Sequence, residues 1–241
     1  MTEFQIFVFG CIFVIFKSMN TTNKLQFSKQ VFLIPFLFVL IIWFVYWVEI
    51  YFSLNFTKFG VYPKNLSGLK GVIFSPFIHS DTNHLFNNSI PLFVLLSSLI
   101  YFYKDIYIKV LLVGGLLSGV LTWAIAREAY HIGASGIVYL LFSFVFFSGM
   151  IKKQFQLVAV SLIVIFLYGS MIWYMLPIKE GISWEGHLSG FLIGLLFAIF
   201  YRRKGIVKEK YQFTQTEFDL LFDEDGNFNP PKEIEEENTD D

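Results

Sequence analysis

The feature that most limits how this chain can fold is a succession of apolar blocks, each near the length needed to cross a bilayer. A membrane-spanning helix takes about 20 predominantly apolar residues. Blocks of that kind cover 31–52, 84–103, 106–126, 132–151, 155–176 and 184–201. Hydrocarbon offers backbone N–H and C=O groups no water to bond, so a spanning helix satisfies them within itself. The expected fold is all-α: a polytopic membrane bundle of six transmembrane helices. Composition agrees, because only 15% of residues are charged against about 25% in soluble domains.

The ends of the chain read differently from its middle. Residues 1–29 form an N-terminal segment whose apolar run, 4–16, is followed by Lys17. Thirteen helical residues reach about 20 Å, short of a hydrocarbon core of about 30 Å. Glu3 rather than a basic cluster precedes the run, and no small-residue cleavage site follows, so it does not suit a signal peptide. An interfacial helix and a short extra span both fit it. Cys11 lies in this run and reads as a packing residue. Residues 30–205 carry the six spans. Residues 206–241 hold Asp223-Glu224-Asp225 and Glu235-Glu236-Glu237 and too little apolar content for a core, so they read as a disordered acidic extension. The net charge of −1 implies no attraction to nucleic acid.

Six spans place both ends of the core on one side, and basic residues choose the side. One set of connections and ends holds Lys17, Lys24, Lys29, Lys104, Lys109, Lys152, Lys153, Arg202, Arg203, Lys204, Lys208 and Lys210. The opposite set holds only Lys58, Lys64, Lys70, Arg127 and Lys179. Twelve against five puts both ends of the core in the cytoplasm, as expected of a multi-pass protein of an inner or plasma membrane. The long outer connection, 53–82, carries Phe56, Phe59, Phe74 and Phe77. A loop of that length and aromatic content is not a plain solvent linker, and it is expected to lie partly in the membrane interface.

The histidines cluster at the outer ends of the spans. All four histidines, His79, His84, His131 and His187, fall there. Ionisable groups within membrane segments are costly, which makes them functional candidates. His84 and Asn88 stand four apart, on one face of the second span. Ser135 and Tyr139 share a face of the fourth, within Gly133-Ala134-Ser135-Gly136. His187, Gly190 and Gly194 form a stripe on the sixth. Small residues around Ser135 also fit a purely structural role in close helix packing, and His131 and His79 each fit a hydrogen bond to a loop. Because spans two, four and six all enter from outside, the three stripes lie at similar depth. A hydroxyl, an imidazole and a pair of donors then converge, which are the parts of an acyl-transfer site.

These residues resemble the rhomboid family of intramembrane serine proteases. The resemblance rests on His79-x4-His84-x3-Asn88, on Gly133-Ala134-Ser135-Gly136 with Tyr139, and on His187-x2-Gly190-x3-Gly194. It covers roughly residues 30–203, in order and on matching spans of a rhomboid-like six-helix bundle. It implies a serine endopeptidase that cleaves transmembrane protein substrates near the outer membrane face. Ser135 and His187 would form a catalytic dyad, with His84 and Asn88 as oxyanion groups. Tyr139 matches the ring packed on the base, Gly190 and Gly194 match helix-contact positions, Gly133 belongs to the serine motif, and His79 matches a structural position. No cofactor or metal is implied, and the partners are protein substrates and lipid. The Trp-Arg pair frequent in the family's first loop is not evident here.

Three other readings compete. A transporter or channel would show inverted repeats or charges deep in the spans, whereas Glu49 lies near an outer end and no repeat is evident. A metal-dependent membrane hydrolase could use the histidines, but no His-Glu-x-x-His and no carboxylate at ligand spacing accompanies them. A catalytically inactive, client-binding relative would lack the serine or the base, and this chain has both. Glu185, two residues before His187, would point elsewhere on a helix and is not included in the site.

Overall fold

The computed structural model describes residues 28–167, 173–178, 181–205, 216, 218–223 and 225–228. The chain divides into two units, Met1–Val207 and Lys208–Asp241. The apolar run 4–16 lies outside the described residues, as does most of the acidic segment.

The first unit is a helical membrane bundle. Its long helices, among the described residues, are α1 (Gln30–Tyr51), α2 (Thr82–Phe102), α3 (Tyr107–Ile125), α4 (Ser135–Lys152), α5 (Phe155–Leu167) and α6 (Trp184–Phe200). The first four are long and apolar enough to cross a bilayer, while α5 and α6 are shorter apolar helices. Within the block expected as one span over 155–176, residues 155–167 are α-helical. Its described part resumes as a 3₁₀ turn at Trp173–Met175, followed by Pro177, which cannot donate to a helix.

Helix α4 lies at the centre and packs against α2, α3, α5 and α6. Its apolar positions Leu140, Leu141, Phe144 and Val145 are fully buried. In contrast, α1 presents Phe32, Phe36, Phe44 and Trp47 outward, as a lipid-facing helix does. Between membrane helices, burial against lipid gains little, so close backbone contact carries the packing. Gly190 and Gly194 provide it on α6. A Cβ at Gly190 would collide with the Gly136 carbonyl, and one at Gly194 with the Leu140 carbonyl. On α3 the small residues face two partners: Gly114 meets Leu140 and Phe197, and Gly119 meets Val72.

The connection between α1 and α2 is a chain of short turns, Thr57–Phe59, Leu66–Lys70, Gly71–Phe74 and Ser75–Phe77. It is pinned to the segment before α4 by a two-residue bridge. Val61 N–H donates to the His131 carbonyl at 2.9 Å, and His131 N–H returns a bond to Val61 at 2.8 Å. Leu66, Ile73 and Phe74 remain exposed, in keeping with a loop that meets the membrane interface rather than bulk water.

Helix α4 starts three residues later than the apolar pattern at Ile132 indicates. Gly133 has φ +107°, a conformation that helices exclude and glycine tolerates. Its N–H bonds outside the helix, to the Ser75 carbonyl at 2.9 Å. Ser135 thus becomes the first helical residue.

In the second unit, the described residues form a local turn where composition alone suggests none. Asp219–Leu221 is a 3₁₀ turn, and Phe222 pairs with Phe228 in an isolated bridge. The Asp223 carboxylate organises it by accepting from the Asp225 and Asn227 backbone N–H groups at 3.0 and 2.8 Å.

Candidate active site

The start of α4 and the start of α6 meet at one hydrogen bond. Ser135 Oγ lies 2.9 Å from His187 Nε2. The other ring nitrogen, Nδ1, lies 2.8 Å from the Tyr174 carbonyl oxygen. A carbonyl only accepts, so Nδ1 carries the proton and Nε2 holds a lone pair toward the serine hydroxyl. That is the tautomer a general base needs. Tyr139 stacks on the imidazole with centroids 4.3 Å apart and planes 14° from parallel, which fixes the ring's plane. The whole group is buried: His187 is 7% and Tyr139 4% exposed.

Helix α2 faces this pair from a third side. Its start is capped by Asp81, whose side chain accepts from the His84 backbone N–H at 2.8 Å. One turn on, Asn88 Nδ2 donates to the His84 carbonyl at 3.1 Å, leaving its second N–H free to act. Both side chains look into the space above Gly133. A Cβ there would stand 2.6 Å from His84 Nε2 and 3.6 Å from Asn88 Nδ2. Glycine at 133 therefore keeps open the volume that the two side chains address.

The remaining histidines hold loops. His79 is buried, its ring 5.0 Å from that of His84, and its Nε2 accepts from the Ala134 N–H at 3.4 Å. Burial first, and the neighbouring His84 second, push its pKa down to about 3, so it is neutral at pH 7. His131 contacts Ser183 Oγ through Nδ1 at 2.6 Å and the Arg127 carbonyl through Nε2 at 3.0 Å. Burial also lowers its pKa. It ties the segment before α4 to the segment before α6 and does not reach Ser135.

Two further parts lie outside the expected site residues. The Tyr174 carbonyl is a backbone group, so no side-chain pattern signals it. Glu185 is 2% exposed and pairs with Arg127 at 3.2 Å through both carboxylate oxygens. Arg127 also donates to the Ile182 carbonyl at 2.6 Å. Glu185 thus points away from His187, as helical spacing indicated, but it anchors the start of the helix that carries it. A small cavity opens beside Ser135, bordered by Ser75, Ser118, Thr122, His131 and Ser183. Among the described residues, no three His, Cys, Asp or Glu side chains group as metal ligands.

Comparison with known proteins gives the following. A family model described as Rhomboid domain matches residues 67–204, a range that contains every side chain just described. An uncharacterized protein of Mycobacterium bovis is 33% identical over 150 residues, covering 58% of this chain and 62% of that protein. An uncharacterized protein of Mycobacterium tuberculosis matches to the same extent. One of Mycobacterium leprae is 29% identical over 142 residues, covering 54% of this chain and 55% of that protein. The chain therefore spans less than two thirds of the length of the curated relatives it matches.

Proposed function

The chain belongs to the rhomboid family, and on that premise we propose that it is an intramembrane serine endopeptidase acting through Ser135 and His187. The observation that carries this reading is the 2.9 Å contact between Ser135 Oγ and His187 Nε2, with the Tyr174 carbonyl holding the base in its proton-accepting tautomer. Oγ attacks the carbonyl carbon of a substrate peptide bond while Nε2 takes the hydroxyl proton. The carbonyl oxygen becomes an oxyanion in the space above Gly133, faced by Asn88, His84 and the Ser135 backbone N–H. Collapse of the tetrahedral species breaks the C–N bond, and the imidazolium returns its proton to the leaving amine. A water, for which the cavity beside Ser135 leaves room, then hydrolyses the acyl-enzyme by the same steps.

Substrates on this reading are transmembrane proteins. A helical peptide bond hides its carbonyl, so the segment to be cut unwinds locally. Gly, Pro or small residues near the outer membrane boundary favour that. The test is cleavage of a single-span reporter by the full chain reconstituted in lipid vesicles. Cleavage by the wild type and none by Ser135→Ala supports the reading. Cleavage that survives Ser135→Ala and disappears with a strong chelator favours a metal hydrolase instead.

The basic-residue asymmetry supports an orientation with both ends of the core in the cytoplasm. Reporter fusions after Lys153 and after Lys210 are expected to read cytoplasmic, and one at Lys64 exterior. A cytoplasmic signal at Lys64 would move the site to the opposite membrane face.

Donors already aimed at the oxyanion stabilise the transition state more than the ground state. Removing one such donor typically costs about 10²–10³ in rate. Asn88→Ala and His84→Ala are each expected to lower kcat by about that factor and leave measurable cleavage. If Asn88 only bridged helices, its hydrogen bond would contribute about 0.6–2 kcal/mol to stability. The variant would then melt lower but turn over normally while folded. Measuring kcat and thermal unfolding on the same preparation separates these.

A further inference from the structure

Ser80 has one hydroxyl proton and two neighbours that could take it. Its Oγ lies 2.7 Å from Asp81 Oδ2 and 3.1 Å from His84 Nδ1. Asp81 is exposed, and the bond from the His84 backbone N–H, then the one from Ser80, hold its carboxyl below the usual carboxylate range. It is ionised at neutral pH and can only accept. The Ser80 proton therefore goes to the shorter, charge-assisted bond. What Ser80 offers His84 is a lone pair, so Nδ1 must donate. A neutral imidazole has a single N–H. With that proton on Nδ1, the neutral ring turns a bare lone pair at Nε2 toward the space above Gly133, where a Cβ would stand 2.6 Å away. A lone pair there repels an oxyanion.

We propose that Asp81 and Ser80 form a positioning relay that fixes the His84 proton on Nδ1, so that His84 stabilises the oxyanion only as an imidazolium. The relay rests on the reading of His84 as an oxyanion group. In the charged ring, Nδ1–H keeps its bond to Ser80 and Nε2–H points at the developing negative charge. The imidazolium donor is also the stronger one, since charge-assisted hydrogen bonds are roughly twice as strong as neutral ones. The titratable groups that face His84 are His79 from the connection, Asp81 at the helix start and His187 across the site. His79 is neutral and His187 must be neutral to act as base, so Asp81 is the counter-charge available to the imidazolium. No covalent step is added: the proton on Nε2 comes from solvent and stays on the ring.

The test is the pH profile of kcat for the reconstituted full chain with a single-span reporter. Wild type is expected to lose activity toward alkaline pH as His84 deprotonates. Ser80→Ala frees Nδ1, so neutral His84 can carry its proton on Nε2. That variant is expected to lose the alkaline limb while turning over more slowly at the wild-type pH optimum, with KM unchanged. Asp81→Asn retains a capping residue and lets the amide donate to Ser80, whose proton then turns to Nδ1. It should give the same flattened profile, and it carries the test if Ser80→Ala does not fold. Nitrogen-15 spectra of histidine-labelled wild type at alkaline pH should show the Nδ1–H tautomer for His84. An unchanged alkaline limb in both variants, or an Nε2–H tautomer in the wild type, overturns the relay while leaving the oxyanion reading intact. Wild-type cleavage by His84→Ala overturns both.

Discussion

Cleavage by Ser135→Ala, His187→Ala and the double variant is expected to fall to nearly the same level, about 10⁴–10⁶-fold below wild type. In the proposed dyad, nucleophile and base act as one unit: without the proton acceptor the hydroxyl is a poor nucleophile, and without the hydroxyl the imidazole has nothing to activate. The losses therefore do not add. The stabilities should differ, however. Ser135→Ala removes one hydrogen bond, the 2.9 Å contact with His187. His187→Ala also removes the bond to the Tyr174 carbonyl and the ring stacked on Tyr139. Thermal unfolding should therefore be near wild type for the first and lower for the second. Initial rates on all four proteins, each matched to its unfolding curve, check this. Losses that multiply would mean that the two side chains act independently.

Gly190→Val is expected to abolish cleavage by a different route, through the loss of the fold around the site. A Cβ at this position would run into the Gly136 carbonyl, with the Leu140 N–H a further contact at 3.1 Å. Backbone cannot rotate away as a side chain can, so α4 and α6 must separate. Overpacking of a tight core typically costs about 1–3 kcal/mol, and this position belongs at or above the upper end. Because α4 carries Ser135 and α6 carries His187, separation also opens the 2.9 Å contact between them. Gly136→Ala is the control. Its Cβ would meet the Gly186 carbonyl at 3.6 Å and Ser118 Oγ at 3.7 Å, ordinary contact distances, so its melting temperature should hardly change. Equal destabilisation by the two variants would contradict the close-contact account.

Apolar length was the most legible property of this chain. Hydrocarbon forces spanning segments into helices, and α1 to α4 lie where the blocks are. The fifth block shows the limit. Its composition stays apolar through residue 176, yet Trp173–Met175 is a 3₁₀ turn rather than α-helix, because hydropathy measures the preference for lipid and not the kind of helix. The candidate site was legible wherever two polar side chains share a helix. His84 with Asn88 and Ser135 with Tyr139 lie at helical spacings, while His187 shares its stripe only with the glycines Gly190 and Gly194. Contacts between segments left no such trace. The Tyr174 carbonyl has no side-chain signature, and the Arg127–Glu185 pair joins residues 58 apart. The start of α4 was misplaced for a local reason: Ile132 extends the apolar pattern, while the backbone of Gly133 turns out of it. Asp81 caps α2, and neither it nor Ser80 stands out in the sequence. Only the direction of the Ser80 hydroxyl, set by the carboxylate beside it, ties them to His84.

The proposed mechanism makes Ser135 a nucleophile activated by His187. It is tested most directly by exposing the reconstituted protein to a small fluorophosphonate and mapping the adduct by mass spectrometry. One phosphonylated serine, Ser135, is expected, with labelling abolished in Ser135→Ala and strongly slowed in His187→Ala. Labelling of the wild type at another serine, or labelling of Ser135 at the same rate when His187 is alanine, would contradict it.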